Sequence, residues 1–339
     1  MKQSRLLFLN RDLLLVFTLA IVAWSLNWFL DQSDLFSPGA STIAMFVGMG
    51  IALATGRDLR GGSIVINGFL PVAIIMLGFE LDFSVIHASD VGITGATAIA
   101  GTVVLSFVVA AVGARLFGLA SSSGLALGAG GAICGNSAVL AVAPSLRLKP
   151  EDTALVLAVI NLLGLVMFFV VVGGANLLNL DPIAAGIWAG ASVHIVPQAI
   201  AAGEAIGPDG MAVATAVKLS RVSLLVLVVP LSTILGRRLA TDDVNDARIP
   251  ACKAVFRLPL YTLGFVLAVA LGNLLLPDQT AGVLGSGGRL ILLPVLAAVG
   301  LTVTRSILRS AGGRLLFVGI LSTTALALGS LVAILLIYD

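Results

Sequence analysis

Charge is what this sequence has least of. Of 339 residues only 11% are Asp, Glu, Lys or Arg, against about 25% in an ordinary soluble domain. That scarcity, beside 59% hydrophobic residues, excludes a soluble fold around one compact core. Cysteine is scarce too, and Cys134 and Cys252 make no disulfide framework. The basic residues are scattered and the net charge is only +2, which argues against a nucleic-acid partner. No glycine-rich run ends in the Lys-Ser/Thr of a phosphate loop, so ATP is not the expected energy source. What is plentiful is glycine, 38 residues, within alanine-rich apolar runs that lack strand-like alternation. These features mark closely packed helices in lipid rather than a barrel. The expected class is an all-α, polytopic membrane protein.

A helix needs about 20 mostly apolar residues to cross a bilayer. Eleven stretches qualify: 13–30, 38–56, 62–79, 91–114, 120–146, 154–180, 182–203, 210–236, 258–277, 287–305 and 315–338. The hydrophilic connection 237–257 reads as a cytoplasmic loop inside one integral membrane domain. It separates an N-terminal part, 1–236, from C-terminal helices, 258–339. With the N-terminus inside, fourteen Lys and Arg fall on the inner side and three, Arg147, Lys149 and Arg289, on the outer. That bias predicts a cytoplasmic N-terminus and an outside C-terminus. The first stretch has no small-residue cleavage site and reads as an uncleaved helix.

Three stretches break the pattern of plain lipid-filling helices. In 120–146, Gly124, Gly128, Gly130, Gly131 and Gly135 precede the polar pair Asn136-Ser137 at mid-depth. Each glycine lowers helix propensity by up to ~1 kcal/mol. Tight small-residue packing is one explanation; an unwound helix lining a binding cavity is the stronger one. The stretch 182–203 carries Ser192, His194, Pro197 and Gln198. Pro197 removes a backbone donor, His194 and Gln198 share a face, and an ionisable residue at membrane depth is a site hypothesis by default. In 210–236, Thr215, Lys218 and Arg221 form one stripe, too deep for snorkelling. A water-accessible cationic pocket accounts for them. No Asp or Glu falls inside the eleven stretches, Glu80, Asp82 and Glu204 lying just past stretch ends. A positive mid-membrane field without carboxylates favours a small anionic substrate.

Two internal similarities conflict. Leu70-Pro71-Val72 resembles Leu293-Pro294-Val295, and eleven crossings make those stretches run in opposite directions, as an inverted repeat requires. The fifth and sixth stretches resemble the seventh and eighth, which the same count makes parallel. Either one similarity is accidental or a stretch is re-entrant, leaving 10–11 crossings.

The run Gly131-Ala132-Ile133-Cys134-Gly135-Asn136-Ser137-Ala138, followed by Ala141 and Pro144, resembles the Ile-Cys-Gly-x-Ser-Ala…Ala-x-x-Pro signature of the YeiH family. Val193-His194 with Gln198 and Ala201-Ala202-Gly203 resembles that family's Val-His-x-x-x-Gln-x-x-Ala-Ala-Gly motif, and Val217-Lys218-Leu219 with Arg221 its Val-Lys-Leu-x-Arg stretch. One departure is Ile195 after His194, where the family more often has an acidic or polar residue; it weakens a proton-relay role for His194. The resemblance covers most of the chain. It implies a bacterial inner-membrane protein to which sulfate export is ascribed, with inverted repeats, crossed broken helices and an elevator-like core moving against a panel.

The expectation is a secondary transporter of a small anion, sulfate foremost, rather than an enzyme. Its substrate-binding residues would be Gly131, Cys134, Gly135, Asn136, Ser137, His194, Gln198, Lys218 and Arg221. Asn136, Ser137 and glycine-freed amides would meet oxyanion oxygens, and Lys218 and Arg221 would supply countercharge. His194 and Gln198 would orient the substrate, or His194 would carry a coupling proton. No cofactor or metal is expected beyond Na⁺ or H⁺ as coupling ion. A Na⁺-coupled organic-anion carrier, holding its ion with Asn136, Asn161, Ser137 and Gln198, is the alternative. A serine hydrolase using Ser137 and His194 is remote, because it leaves Lys218 and Arg221 unexplained. The expected partners are the small anionic substrate and membrane lipid, with a homodimer left open.

Overall fold

The computed structural model describes residues 2–32, 39–56, 60–79, 89–225, 227–228, 231, 260–306 and 313–338. The loop 237–257, Cys252, Glu80 and Asp82 lie outside the described residues. Within them the chain forms thirteen helices and no strand. They are α1 (Lys2–Gln32), α2 (Ala40–Thr55), α3 (Arg60–Gly78), α4 (Ser89–Leu116), α5 (Ser121–Ala132), α6 (Asn136–Val142) and α7 (Pro150–Leu177). There follow α8 (Pro182–Ser192), α9 (Val196–Ile206), α10 (Pro208–Ser223), α11 (Leu260–Leu274), α12 (Asp278–Leu301) and α13 (Arg314–Ile337). Stretches of α1, α4, α7, α12 and α13 are long and apolar enough to cross a membrane by themselves, and α2, α3 and α11 carry shorter apolar runs. The protein is an all-α, polytopic membrane protein.

The helices sort into two packed groups. One holds α1, α2, α3, α11 and α12; the other holds α4 to α10 with α13. Helices α3 and α12 run antiparallel, since Gly62 lies against Ala298 while Gly288 lies against Ala73 and Leu77. Each has a proline inside it, Pro71 and Pro294. The first sequence similarity therefore falls on two oppositely directed helices.

The fifth and seventh stretches do not cross. Gly130 of α5 touches Val139 of α6, nine positions later, so the chain folds back at residues 133–135. Gly135 makes that turn with φ 69°, a conformation that favours glycine. Gly186 of α8 and Gly203 of α9 both abut the carbonyl of Gly210, at 2.8 and 2.7 Å from an ideal Cβ. Residues 186 and 203 are thus neighbours, and α8 and α9 form a second hairpin with its turn at 193–195. A straight run between them would have separated the two glycines by about 25 Å at 1.5 Å per residue.

This corrects the reading of the fifth and seventh stretches from crossings to re-entrant hairpins. It also resolves the conflict between repeats. The 28-residue α7 joins the base of the first hairpin to the base of the second, and its length of about 42 Å spans the bilayer. The hairpins therefore enter from opposite faces, and the two similar blocks are inverted after all. Local sequence sets the boundaries. Asp181 caps α8, its Oδ1 accepting from Ile183 N at 2.9 Å and Ala184 N at 3.2 Å. Pro150, Pro182 and Pro208 open α7, α8 and α10, where a missing N–H costs nothing.

Candidate functional site

The hairpin turns meet beside the middle of α7. Gly135 packs against Ile195 and the carbonyl of His194, Ile160 of α7 against Gly130 and Gly135, and Gly164 of α7 against His194 and Gln198. Every residue of the sequence-derived site lies at this junction or reaches it, but in three different roles.

Lys218 and Arg221 do not line a water-accessible pocket. Both are fully buried, and they bind the carbonyl ends of the first hairpin arms. Arg221 Nε donates to Ala132 O at 2.9 Å, its Nη1 to Gly190 O at 3.1 Å and to Ala191 O, and its Nη2 to Gly131 O. Lys218 Nζ donates to Val193 O at 2.6 Å. The last turn of a helix leaves four carbonyls without partners and a partial negative charge. Arg221 ties two such ends, from opposite sides of the membrane, into one fork. Both cations at mid-depth are thus engaged by main-chain carbonyls, a role the expectation of countercharge to a substrate did not include. Thr215 is also buried, donating to Met211 O within its own helix at 2.7 Å.

The return arms begin differently. Neither α6 nor α9 has a side-chain cap at its N-terminus. Asn136 exchanges two hydrogen bonds with Asn161 of α7, each 3.1 Å, and Asn161 Nδ2 also donates to Leu157 O. Asn136 and Asn161 are half-buried and Ser137 is exposed. Asn161 and Phe168 lie two turns apart on one face of α7. Phe46 of α2 covers Phe168 and Phe169, with ring centroids 5.3 and 5.0 Å apart. The amide pair thus faces the side on which the other helix group stands. Cys134 is buried, close to Ser137 and Ala138. Gln198 is buried against Gly164 with its Oε1 unpartnered.

His194 is fully engaged. Its Nδ1 donates to Ser192 O at 3.1 Å, and its Nε2 pairs with the Thr323 hydroxyl at 2.9 Å. A neutral ring with its proton on Nδ1 satisfies both. Neither ring nitrogen is given to Ser137. Helix α13 supplies more such supports: Ser330 to Ser192 at 2.9 Å, Ser322 to Ser106 at 3.4 Å, and the Ala327 carbonyl to Trp188 Nε1 at 3.0 Å. Sequence reasoning missed this polar stripe. The spacing of 323 and 330, two turns apart on one helical face, with Ser322 beside them, was its signal. Thr323→Val is expected to lower stability by about 1–3 kcal/mol, the cost of a buried acceptor left without its donor. Thermal unfolding of the purified protein in detergent measures it.

Two inverted hairpins meeting tip to tip inside a helical bundle define a multi-pass membrane protein whose centre is polar, uncapped and reached by no carboxylate among the described residues. The sequence comparisons agree that it is a membrane protein. The model of the family described as conserved hypothetical protein 698 matches residues 11–319. The UPF0324 membrane protein Atu0671 of Agrobacterium fabrum is 32% identical over 79% of this chain and 74% of its own. A UPF0324 membrane protein of Yersinia pestis is 30% identical over 89% and 85%. The UPF0324 inner membrane protein YeiH of Escherichia coli K12 is 29% identical over 86% and 83%. The chain belongs to this UPF0324, or YeiH, family. No solved structure matches it.

Proposed function

We propose that this protein is a secondary carrier of a small oxyanion, with sulfate moving outward as the leading substrate, working by alternating access in the bacterial inner membrane. One observation carries the reading. Arg221 and Lys218 occupy the negative ends of both first hairpin arms, so the uncapped positive ends of the return arms stand unopposed at the junction. An anion is the natural occupant of such a field. Asn136, Ser137 and Asn161 offer neutral donors around it, and half-helix termini at the midplane are how carriers hold charged substrates.

The topology adds support. With the first hairpin entering from the N-terminal side, Arg147 and Lys149 join the inner residues, giving sixteen Lys and Arg inside, while Arg289 lies within the span of α12. This favours a cytoplasmic N-terminus and an outside C-terminus. On the inner side Ser137 and Leu140 are exposed, while α9 is buried against α2 and α12 on the outer side. The arrangement fits a carrier whose junction faces the cytoplasm, the α4–α10 and α13 group moving against the other. A Na⁺-coupled carrier is the second reading, favoured by Gln198 Oε1, a buried oxygen with no donor.

Thermal unfolding of purified protein titrated with sulfate, sulfite, thiosulfate, sulfonates and carboxylates, with and without Na⁺, tests the reading. A true substrate at 100 times its Kd is expected to stabilise by about 2.7 kcal/mol. No shift with any oxyanion, in either salt, would overturn it.

A further inference from the structure

Away from the junction, one carboxylate sits where the two helix groups touch. Glu204 lies near the end of α9, and the first turn of α2 docks on it. Gly39, at φ 88°, leaves room for the Glu204 side chain: an ideal Cβ there would stand 2.9 Å from Glu204 Cγ. Gly39 gives α2 no side-chain cap. Ser41 is fully buried with its hydroxyl unpartnered, and it lies beside the Glu204 carboxyl, whose Oε2 is also buried and unpartnered. Thr42 Oγ1 donates to Ala201 O at 3.3 Å one turn away. The carboxylate thus takes the cap position of a helix belonging to the other group.

We propose that Glu204 is a proton-operated latch on the outer face, whose protonation by the outer medium releases the conformational change. This deepens the carrier reading and rests on it. As a carboxylate, Glu204 is drawn to the positive end of α2 and holds the two groups together on the side where Phe46 also covers Phe168. A proton from the outer medium forms one O–H bond, removes the charge and with it that attraction. The moving group is then released, and the junction leaves its inward-facing position. The charges around Glu204 are few. Helices α2 and α8 carry no charged residue, and α7 has none in its outer half. Arg289 of α12 is the cation that acts on it, and Asp278 lies in the first turn of the same helix. Asp209 of α10, exposed, is the other nearby acid in sequence, and Lys218 and Arg221 lie at the far, central end of that helix.

The test uses the full chain in liposomes, with Leu140→Cys as reporter in a Cys252→Ser background. Leu140 is 54% exposed on the inward face and native Cys134 is 3% exposed, so Cys134 sets the baseline. Maleimide labelling is followed from pH 7.5 to 5.5, normalised at each pH to the denatured protein. The parent is expected to lose labelling at least three-fold on acidification. Glu204→Gln is expected to label at the low rate at every pH. Ser41→Ala, which keeps the carboxylate but removes its neighbour's hydroxyl, is expected to shift the midpoint. A parent profile that is flat, a Glu204→Gln profile that follows the parent, or an unmoved midpoint in Ser41→Ala overturns the latch. The assay needs no substrate. Labelling that switches while no oxyanion stabilises the protein would therefore sink the carrier reading and leave the latch standing.

Discussion

Arg221→Ala is expected to yield no folded protein. Four carbonyl oxygens at two helix ends would lose their donors together, each buried acceptor left unmet costing about 1–3 kcal/mol. That sum is comparable with the whole stability of a typical domain, about 5–15 kcal/mol. Arg221→Lys keeps the charge but cannot reach both hairpins, because an ammonium lacks the planar fork. It is expected to fold with markedly lowered thermal stability. Size-exclusion profiles after heating, read in detergent, separate the outcomes. An Arg221→Ala protein that elutes as a single species and unfolds within a few degrees of the parent would remove the structural role assigned to the guanidinium. The Lys218 ammonium makes a single bond, to Val193, so Lys218→Met is the milder change at the same junction.

Asn136→Asp is expected to fold and to lose anion transport by at least a hundred-fold. The substituted carboxylate can still accept from Asn161 Nδ2, so half of the reciprocal pair survives. Its charge would lie at the start of α6, where it is favoured electrostatically and where it repels an incoming anion. The same position distinguishes substrate from scaffold: the variant should keep its unfolding temperature and lose the stabilisation given by oxyanions. Uptake of radiolabelled sulfate into proteoliposomes, beside the thermal titration, measures both. Undiminished uptake would place the anion elsewhere.

Much of this architecture is legible in the residues. The glycine cluster ending at Gly135 and the proline at 197 mark both chain breaks, and hydropathy finds the long helices. The fold-back is not legible. A helix interrupted by glycine or proline can resume its direction or reverse, and the choice here depends on Gly186 and Gly203 both meeting Gly210, contacts between positions that no local pattern links. The cations at 218 and 221 announce themselves, but their partners are main-chain carbonyls, which every residue carries and no sequence flags. Hence the depth of these cations is readable while their role is not. Glu204 escapes for a different reason: hydropathy ends the stretch at 203, whereas α9 continues to Ile206. The amide pair Asn136–Asn161 needs the third dimension, because 25 residues separate its members.

The Arg221 fork also sets a schedule for the protein's synthesis. The carbonyl ends of α5 wait for a side chain 89 and 90 residues downstream, which at ordinary ribosomal speed is on the order of ten seconds. Throughout that interval the tip of the first hairpin lacks these donors. That tip is completed only when α10 arrives. Truncated nascent chains that end before residue 221 would therefore hold this segment in a different, still reversible relation to the bilayer.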